Sequence, residues 1–405
     1  MIEPEVIETA LVPGEHRPRL TGHARTKILF VTNTGEFGGL ERHVLYMVRS
    51  LRRSGVRSSI FNLGPDLFTA HLHPDETAQV SIACKKEPMS FWGWCQLFRD
   101  IRPDVVVLCY GWIGAFPFAS VAAWLAGIPK RFSIQQLLTP PPPKVEGRSF
   151  SVLRRLVGGR TRRLVGWRVS AYFYHRIICV SNAVRKSLVM DYRFPESKTI
   201  TIYNCVSVSE FYPSEQAGAA VRTRLGVGSD EFLLVCSARL SEIKRIDILL
   251  QAMARVLRDG VRCKCVIVGD GPLRERLLEQ ARHMNLSGHV FFEGFQEDVR
   301  PYLQASSAFV LTSRAEGLPL AILEAMACGL PGVVTDVGGN AEAITHNVHG
   351  LVVPPGSPEA VAEAISYLVT HPLERAQMSK MARARACEVF DTEKSMAEIR
   401  NVILS

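Results

Sequence analysis

Two glutamates, Glu316 and Glu324, stand eight positions apart in the run SRAEGLPLAILEAMACG, residues 313–329. The apolar AFVLT before the run reads as a buried strand, and the Ala-, Leu- and Met-rich stretch after Pro319 reads as a helix. Pro319 fits the first helical position, and Gly329 followed by Pro331 ends the helix. Glu324 then falls among Ala, Ile, Leu, Met and Cys, where a carboxylate is costly unless it is hydrogen-bonded. The hydroxyls of a sugar or a ribose are suitable donors to it. Beside Glu316, the unpaired N–H groups of the helix start offer a place for an anion. Two glutamates at this spacing recur by chance, so the strand-to-helix context carries the weight.

A second junction, ARLSEIKRID (238–247), puts Arg239 at the end of a strand and Lys244 five residues later, ahead of a helix. Arg by bidentate contact and Lys as a point charge suit a diphosphate, with a solvated basic turn as the plainer alternative. Glycine-rich turns also end strands at GDGP (269–272), at VGGNAE (337–342) and at GEFGG (35–39). Such glycines often serve only a tight turn, yet they also let a backbone approach a phosphate. Neither GEFGG nor GDGP has the GxGxxG spacing of a dinucleotide fingerprint, which argues against a nicotinamide-dependent oxidoreductase.

Strands that alternate with helices must position these junctions. Strands are expected at 27–32, 58–63, 80–84, 104–108, 131–137 and 176–181, and again at 232–236, 265–268, 290–293, 308–312, 332–335 and 350–353. Continuous apolar strands between helices signal parallel sheets covered on both faces. The fold class is therefore α/β, with two doubly wound, Rossmann-like domains facing across a cleft. The expected boundaries are a tail at 1–26, an acceptor-side domain at 27–205 and a Ser-, Pro-, Gly- and Ala-rich linker at 206–229. A second domain follows at 230–385, then a helix at 386–405 that packs back on the first. Ligands of such sheets sit at the carboxyl ends of the strands.

Composition agrees with two full cores. The chain has 405 residues, 47% hydrophobic and 21% charged, which excludes disorder and fibrous designs. Its ten cysteines form no CxxC pair and lie mostly in apolar runs, so they are expected to be structural thiols in a reducing compartment, the cytoplasm. Met1–Arg25 has no apolar core of a signal peptide. Residues 105–129 carry no charge, but the pattern changes from strand-like to helical, so a buried strand and a packed helix are expected there rather than a membrane span.

The formal charge of +9 is concentrated. Between Lys144 and Arg176 stand Lys144, Arg148, Arg154, Arg155, Arg160, Arg162, Arg163, Arg168 and Arg176 against Glu146 alone, a local +8. As a helix, Phe150, Leu153, Val157 and Leu164 fall near one face and Arg155, Arg162 and Arg163 nearly opposite, although Gly158-Gly159 interrupts it. A basic, amphipathic, Trp-bearing segment suits an anionic membrane surface, with a solvated helix as the plainer reading. No stacking platform or reader motif is present, so nucleic acid is not expected as a partner.

The FGGLE turn, CVSNAVRKSL, the Arg239/Lys244 segment, VIVGDGPL, FEGF, SRAEGLPLAILEAMACGLP and the GGNAE/HGLVVPPGSPEAVAEAI tail resemble the retaining nucleotide-sugar glycosyltransferases of family four, which share the GT-B fold. The likeness runs from about residue 27 to about residue 390. It implies transfer of a hexosyl or N-acetylhexosaminyl group from a nucleotide sugar to a saccharide or lipid-linked saccharide, in bacterial-type surface glycan synthesis at the inner face of the cytoplasmic membrane. It implies catalytic roles for Arg239, Lys244 and Glu316. Donor binding would fall to these three with Gly38, Gly39, Gly294, Phe295, Gln296, Gly317, Leu318, Pro319, Leu320 and Glu324. Glu316 would contact the sugar and Glu324 the ribose. No cofactor and no obligatory metal are implied, since cationic side chains replace the metal.

The sequence departs from the family pattern at Asn204-Cys-Val-Ser207, at Ser237-Ala238, at Arg245 where Gly often follows the Lys, and at Gln135 and Gln136 where a His is frequent. Two rival functions remain open. One is a non-catalytic nucleotide-sugar-binding module of the same fold. The other is a glycosidase using Glu316 and Glu324 as acid and base.

Overall fold

The computed structural model describes residues 26–35, 37–77, 80–85, 89–110, 118–137, 159–228 and 230–405. The first run of apolar segments folds into β1 (Lys27–Thr32), β2 (Arg57–Asn62), β3 (Ser81–Cys84), β4 (Val105–Tyr110), β5 (Lys130–Gln135), β6 (Arg176–Cys179) and β7 (Thr199–Thr201). They form one sheet in the order β3-β2-β1-β4-β5-β6-β7. The second run gives β8 (Phe232–Ser237), β9 (Cys263–Val268), β10 (Val290–Gly294), β11 (Ala308–Leu311), β12 (Gly332–Thr335) and β13 (Gly350–Val353). Their order is β10-β9-β8-β11-β12-β13. Adjacent strands pair in parallel throughout.

Helices cover both faces, which is why the central strands can be apolar along their whole length: Val106, Val107, Leu108, Leu233, Leu234 and Val235 are fully buried. Each such side chain contributes about 1.5–3 kcal/mol through burial. The strand order of each sheet reverses once, between β1 and β4 and between β8 and β11. The registers Phe30↔Val107 and Phe309↔Val235 bring the loops after these strands out side by side. Ligands bind parallel sheets at such reversals.

Three local features differ from the sequence expectations. The stretch expected as a linker contains the helix Glu215–Arg224, with the Ser214 hydroxyl accepting from the Ala217 N–H at 3.3 Å. Gly218 makes the stretch look irregular in sequence, yet a Cβ there would lie 2.5 Å from the Ala305 backbone. Glycine thus lets this helix lie against the helix Arg300–Ala305, and Arg222 Nη1–H donates to Ala305 O at 2.8 Å. β7 is an edge strand of three residues, too short to show a period. The helix after the Glu316 loop starts at Leu320, with Pro319 at its cap, one residue later than expected.

The uncharged run 105–129 begins with β4 in the middle of its sheet and ends in the helix Ala119–Leu125 and its exit turn. Among the described residues no helix is long and apolar enough to cross a membrane. Of the basic stretch, residues 144–158 lie outside the described residues, as do the tail 1–25 and the proposed apolar positions Phe150, Leu153 and Val157. The described part holds the helix Gly159–Tyr172 and the start of β6. Arg168 Nε–H there donates to Tyr192 O at 2.9 Å, and Arg176 Nη1–H to Ser197 O at 3.2 Å. Eight of the ten cysteines are buried thiols.

The chain crosses between the sheets twice, and the crossings pair. Val206 N–H donates to Phe390 O at 2.8 Å, and Thr392 N–H to Val206 O at 3.1 Å. The last helix, Thr392–Leu404, then packs Met396, Ile399 and Ile403 toward the helix Gly39–Arg53 of the first domain. Lys130 Nζ donates to its Leu404 carbonyl at 2.8 Å.

Candidate active site

The loops after β8 and β11 meet at the strand-order reversal of the second sheet. Arg314 N–H donates to Ile243 O at 2.8 Å, and Thr312 Oγ1–H to Arg245 O at 2.9 Å, so the two loops are stitched together. Arg245 caps the helix Ile246–Arg258 with a φ of +50°, a left-handed conformation that a glycine would adopt without the Cβ penalty. Its guanidinium is held by Asp247 at 2.9 Å. The stitching delivers Lys244 Nζ to Glu316 Oε1 at 2.5 Å. The Ser313 hydroxyl donates to the same oxygen at 2.5 Å. Glu316 is 2% exposed, so its charge is compensated by Lys244 rather than by water.

Arg239 stands exposed at the end of β8. The GDGP turn lies beneath it. Gly269, with φ +135°, would put a Cβ 2.1 Å from Ala238 O, and Gly271, with φ +158°, would put one 2.5 Å from Leu240 O. These glycines therefore let the Arg239 loop lie on the end of β9. Gly269 N–H also donates to Gly294 O at 2.7 Å, tying in the loop Gly294–Gln296. Phe295 there is 62% exposed, while the Gln296 amide is anchored on Glu293 O at 2.8 Å.

The first domain closes the opposite side. After β1 the chain turns at Gly38 into the helix Gly39–Arg53, and the Glu41 carboxylate accepts the Gly38 N–H at 2.7 Å. Burial raises the pKa of that carboxyl group. A Cβ on Gly39 would lie 3.7 Å from the Leu320 side chain, so the glycine turn faces the start of the helix Leu320–Ala327. Glu324, 4% exposed inside that helix, is paired with Arg42 Nη1 from the first domain. The charge of Glu324 raises the Arg42 pKa further.

Gly317 packs so closely that a Cβ would lie 1.9 Å from Gln136 O. The Asn204 amide donates to Leu318 O at 2.7 Å and to Gln136 Oε1 at 3.0 Å. His43 lies beside Asn204, and burial lowers its pKa to about 4.

The geometry brings Lys244 and Glu316 into contact and sets Gly38, Gly39, Gly317, Leu318, Pro319, Leu320 and Glu324 along one cleft. Arg239 and the Gly294–Gln296 loop form the end of the same second-domain sheet. Sequence reasoning missed Arg42 and the cross-cleft role of Asn204. Arg42 carries no local signal, because the first turn of its helix already holds Glu41 and its partner lies 282 positions away.

Two family models match, Glycosyltransferase Family 4 over residues 37–210 and Glycosyl transferases group 1 over residues 220–385. The N-acetyl-alpha-D-glucosaminyl L-malate synthase of Bacillus anthracis is 30% identical over 209 residues, 51% of this chain and 54% of that protein. The UDP-Gal:alpha-D-GlcNAc-diphosphoundecaprenol alpha-1,3-galactosyltransferase of Escherichia coli is 28% identical over 232 residues, 56% of this chain and 60% of that protein. The chain thus spans little more than half the length of these curated relatives. The crystal structure of Anabaena Alr3699/HepE in complex with UDP superposes with a TM-score of 0.76 at 23% identity, covering 93% of this chain and 99% of that one. With one family model on each sheet and the same two-domain arrangement in a solved structure, the chain belongs to the family 4 glycosyltransferases of GT-B fold.

Proposed function

We propose that this chain transfers a hexosyl or N-acetylhexosaminyl group from a nucleoside-diphosphate sugar to a saccharide or lipid-linked saccharide acceptor, with retention of configuration, in the synthesis of a surface glycan. The observation that carries the reading is the contact of Lys244 with the buried Glu316 at the β8/β11 reversal, opposite the Gly38–Gly39 turn. The bond that breaks leaves negative charge on the diphosphate. Arg239, Lys244 and the N–H groups at the start of the helix Leu320–Ala327 are fixed donors placed to stabilise it. In this reading Glu316 holds the sugar hydroxyls and Glu324 the ribose, while the Gly294–Gln296 loop lies along the base. Because the cations supply the positive charge, the reaction needs no metal and no cofactor.

UDP in the Anabaena structure and in the name of the Escherichia coli relative favours a uridine nucleotide, and the diphosphoundecaprenol of that name favours a lipid-linked acceptor. The cationic stretch 144–176 then docks the enzyme on the anionic inner face of the cytoplasmic membrane. Incubating the full chain with labelled UDP-glucose, UDP-galactose and UDP-N-acetylglucosamine, with and without EDTA, tests the reading. Release of UDP from one donor, unaffected by EDTA, is expected. Binding of a donor with no turnover on any saccharide or lipid-linked acceptor would favour the binding module instead.

A further inference from the structure

The GGNAE turn, residues 338–342, is a glycine-rich junction in which the donor reading gives Glu342 no task. Its carboxylate reaches across the cleft to the first domain. Asn182 N–H donates to Glu342 Oε2 at 2.9 Å, and Ala183 N–H donates to Oε1 at 2.7 Å. These are the first two residues of the helix Asn182–Met190, whose next N–H, that of Val184, is satisfied by the Ser181 hydroxyl at 3.2 Å. The leading N–H groups of a helix have no partner within it. Here two of them are completed by the other domain, with the carboxylate at the positive end of the helix dipole.

We propose that Glu342 is a positioning residue that latches the two domains together and thereby holds the Glu316 loop against the first domain. The mechanical link is short. Gly339 N–H donates to Gly317 O at 2.7 Å, and Gly317 is the residue after Glu316. A Cβ on Gly339 would lie 2.3 Å from Gly317 O and 2.9 Å from the Ser181 Cβ, so the turn is pressed between the donor loop and the helix cap. From behind, Arg385 anchors the turn, its Nη2–H donating to Glu342 O at 2.7 Å and its Nε–H to Ala343 O at 3.0 Å. On the first-domain side, Asn182 is itself fixed, its amide donating to Tyr203 Oη at 2.9 Å and its Oδ1 accepting from Thr201 Oγ1–H at 2.9 Å. Opening the cleft must break both carboxylate bonds together with the Asn204–Leu318 bond and the Arg42–Glu324 pair. Of these, the two Glu342 bonds favour closure without touching the donor.

The latch rests on this geometry alone; its effect on turnover rests on the reading of Lys244 and Glu316 as the transfer site. Hydrogen exchange and small-angle scattering on the full chain test it without any substrate. Glu342→Ala should speed exchange of the Asn182 and Ala183 amides about fivefold and increase the radius of gyration. Asn182→Pro removes one of the two donors while suiting the first helical position, and should also increase the radius of gyration. With UDP as the probe, affinity should change by less than about twofold while turnover falls about tenfold, and Glu342→Gln, which keeps an acceptor oxygen, should recover part of it. Faster exchange with an unchanged radius of gyration would reduce Glu342 to a local helix cap and overturn the latch. Unchanged exchange would overturn it as well. An enlarged molecule with no turnover in the parent chain would leave the latch standing and count against the transfer reading.

Discussion

Arg42 and Glu324 pair across the cleft, one from the first turn of a helix in the first domain and the other from a buried helix in the second. Glu324 is too buried to be left alone, so Arg42→Ala should lower stability by about 2 kcal/mol. Arg42→Lys should recover only part of that, because an ammonium lacks the planar fork of a guanidinium. Urea midpoints of the three proteins check this. Equal midpoints would mean that Glu324 finds its partner elsewhere.

Gly317→Ala places a methyl group where the Gln136 carbonyl oxygen lies 1.9 Å away. One of the two backbones must move, at a cost of about 1–3 kcal/mol if the cleft stays shut. We expect turnover to collapse while UDP still binds the second domain, as measured by calorimetry beside the transfer assay. A variant with normal turnover would show that the close approach is not needed.

His43 gives the fold an acid sensitivity. Its folded pKa of about 4 is below the usual imidazole value because burial disfavours the cation. As pH falls below about 6.5 the unfolded chain takes up this proton first. The contribution of the neutral, buried ring is therefore complete above that pH and is lost as pH falls through about 4. Up to about 3 kcal/mol is at stake. Denaturant titrations at several pH values should show a shallower acid slope in His43→Gln than in the parent. Equal slopes would show that His43 does not contribute to the acid sensitivity.

Much of the second domain is legible in the sequence, because each site loop follows an apolar strand and glycines mark close approaches. The pairing of Lys244 with Glu316 is not legible, since it needs the β8–β11 neighbourhood that only the strand order supplies. Arg42 and Glu324 are separated by 282 positions and Glu342 and Asn182 by 160, so no local pattern can connect them. Conversely, the alternation of β-branched runs with helices is a local property, and it placed most strand boundaries within a residue or two. The helix Glu215–Arg224 escaped because Gly218, which permits its packing, lowers its helical signal.

The cationic stretch 144–176 should bind anionic liposomes, with affinity falling as salt rises, because each cation near the surface contributes about 1 kcal/mol and is screened. Changing Arg155, Arg162 and Arg163 to Gln should weaken sedimentation with such vesicles. Equal binding to neutral vesicles would contradict an electrostatic docking surface.

If Lys244 and Glu316 together carry glycosyl transfer, removing either side chain must slow it. The most direct measurement is the turnover of a labelled nucleotide sugar by the parent chain, Lys244→Ala and Glu316→Gln, each shown to be folded by circular dichroism. Lys244→Ala removes a fixed donor to the developing charge, which costs about 10²–10³ in kcat, and Glu316→Gln, which leaves Lys244 without its buried counter-charge, is predicted to lower turnover as well. Full turnover in both would contradict it.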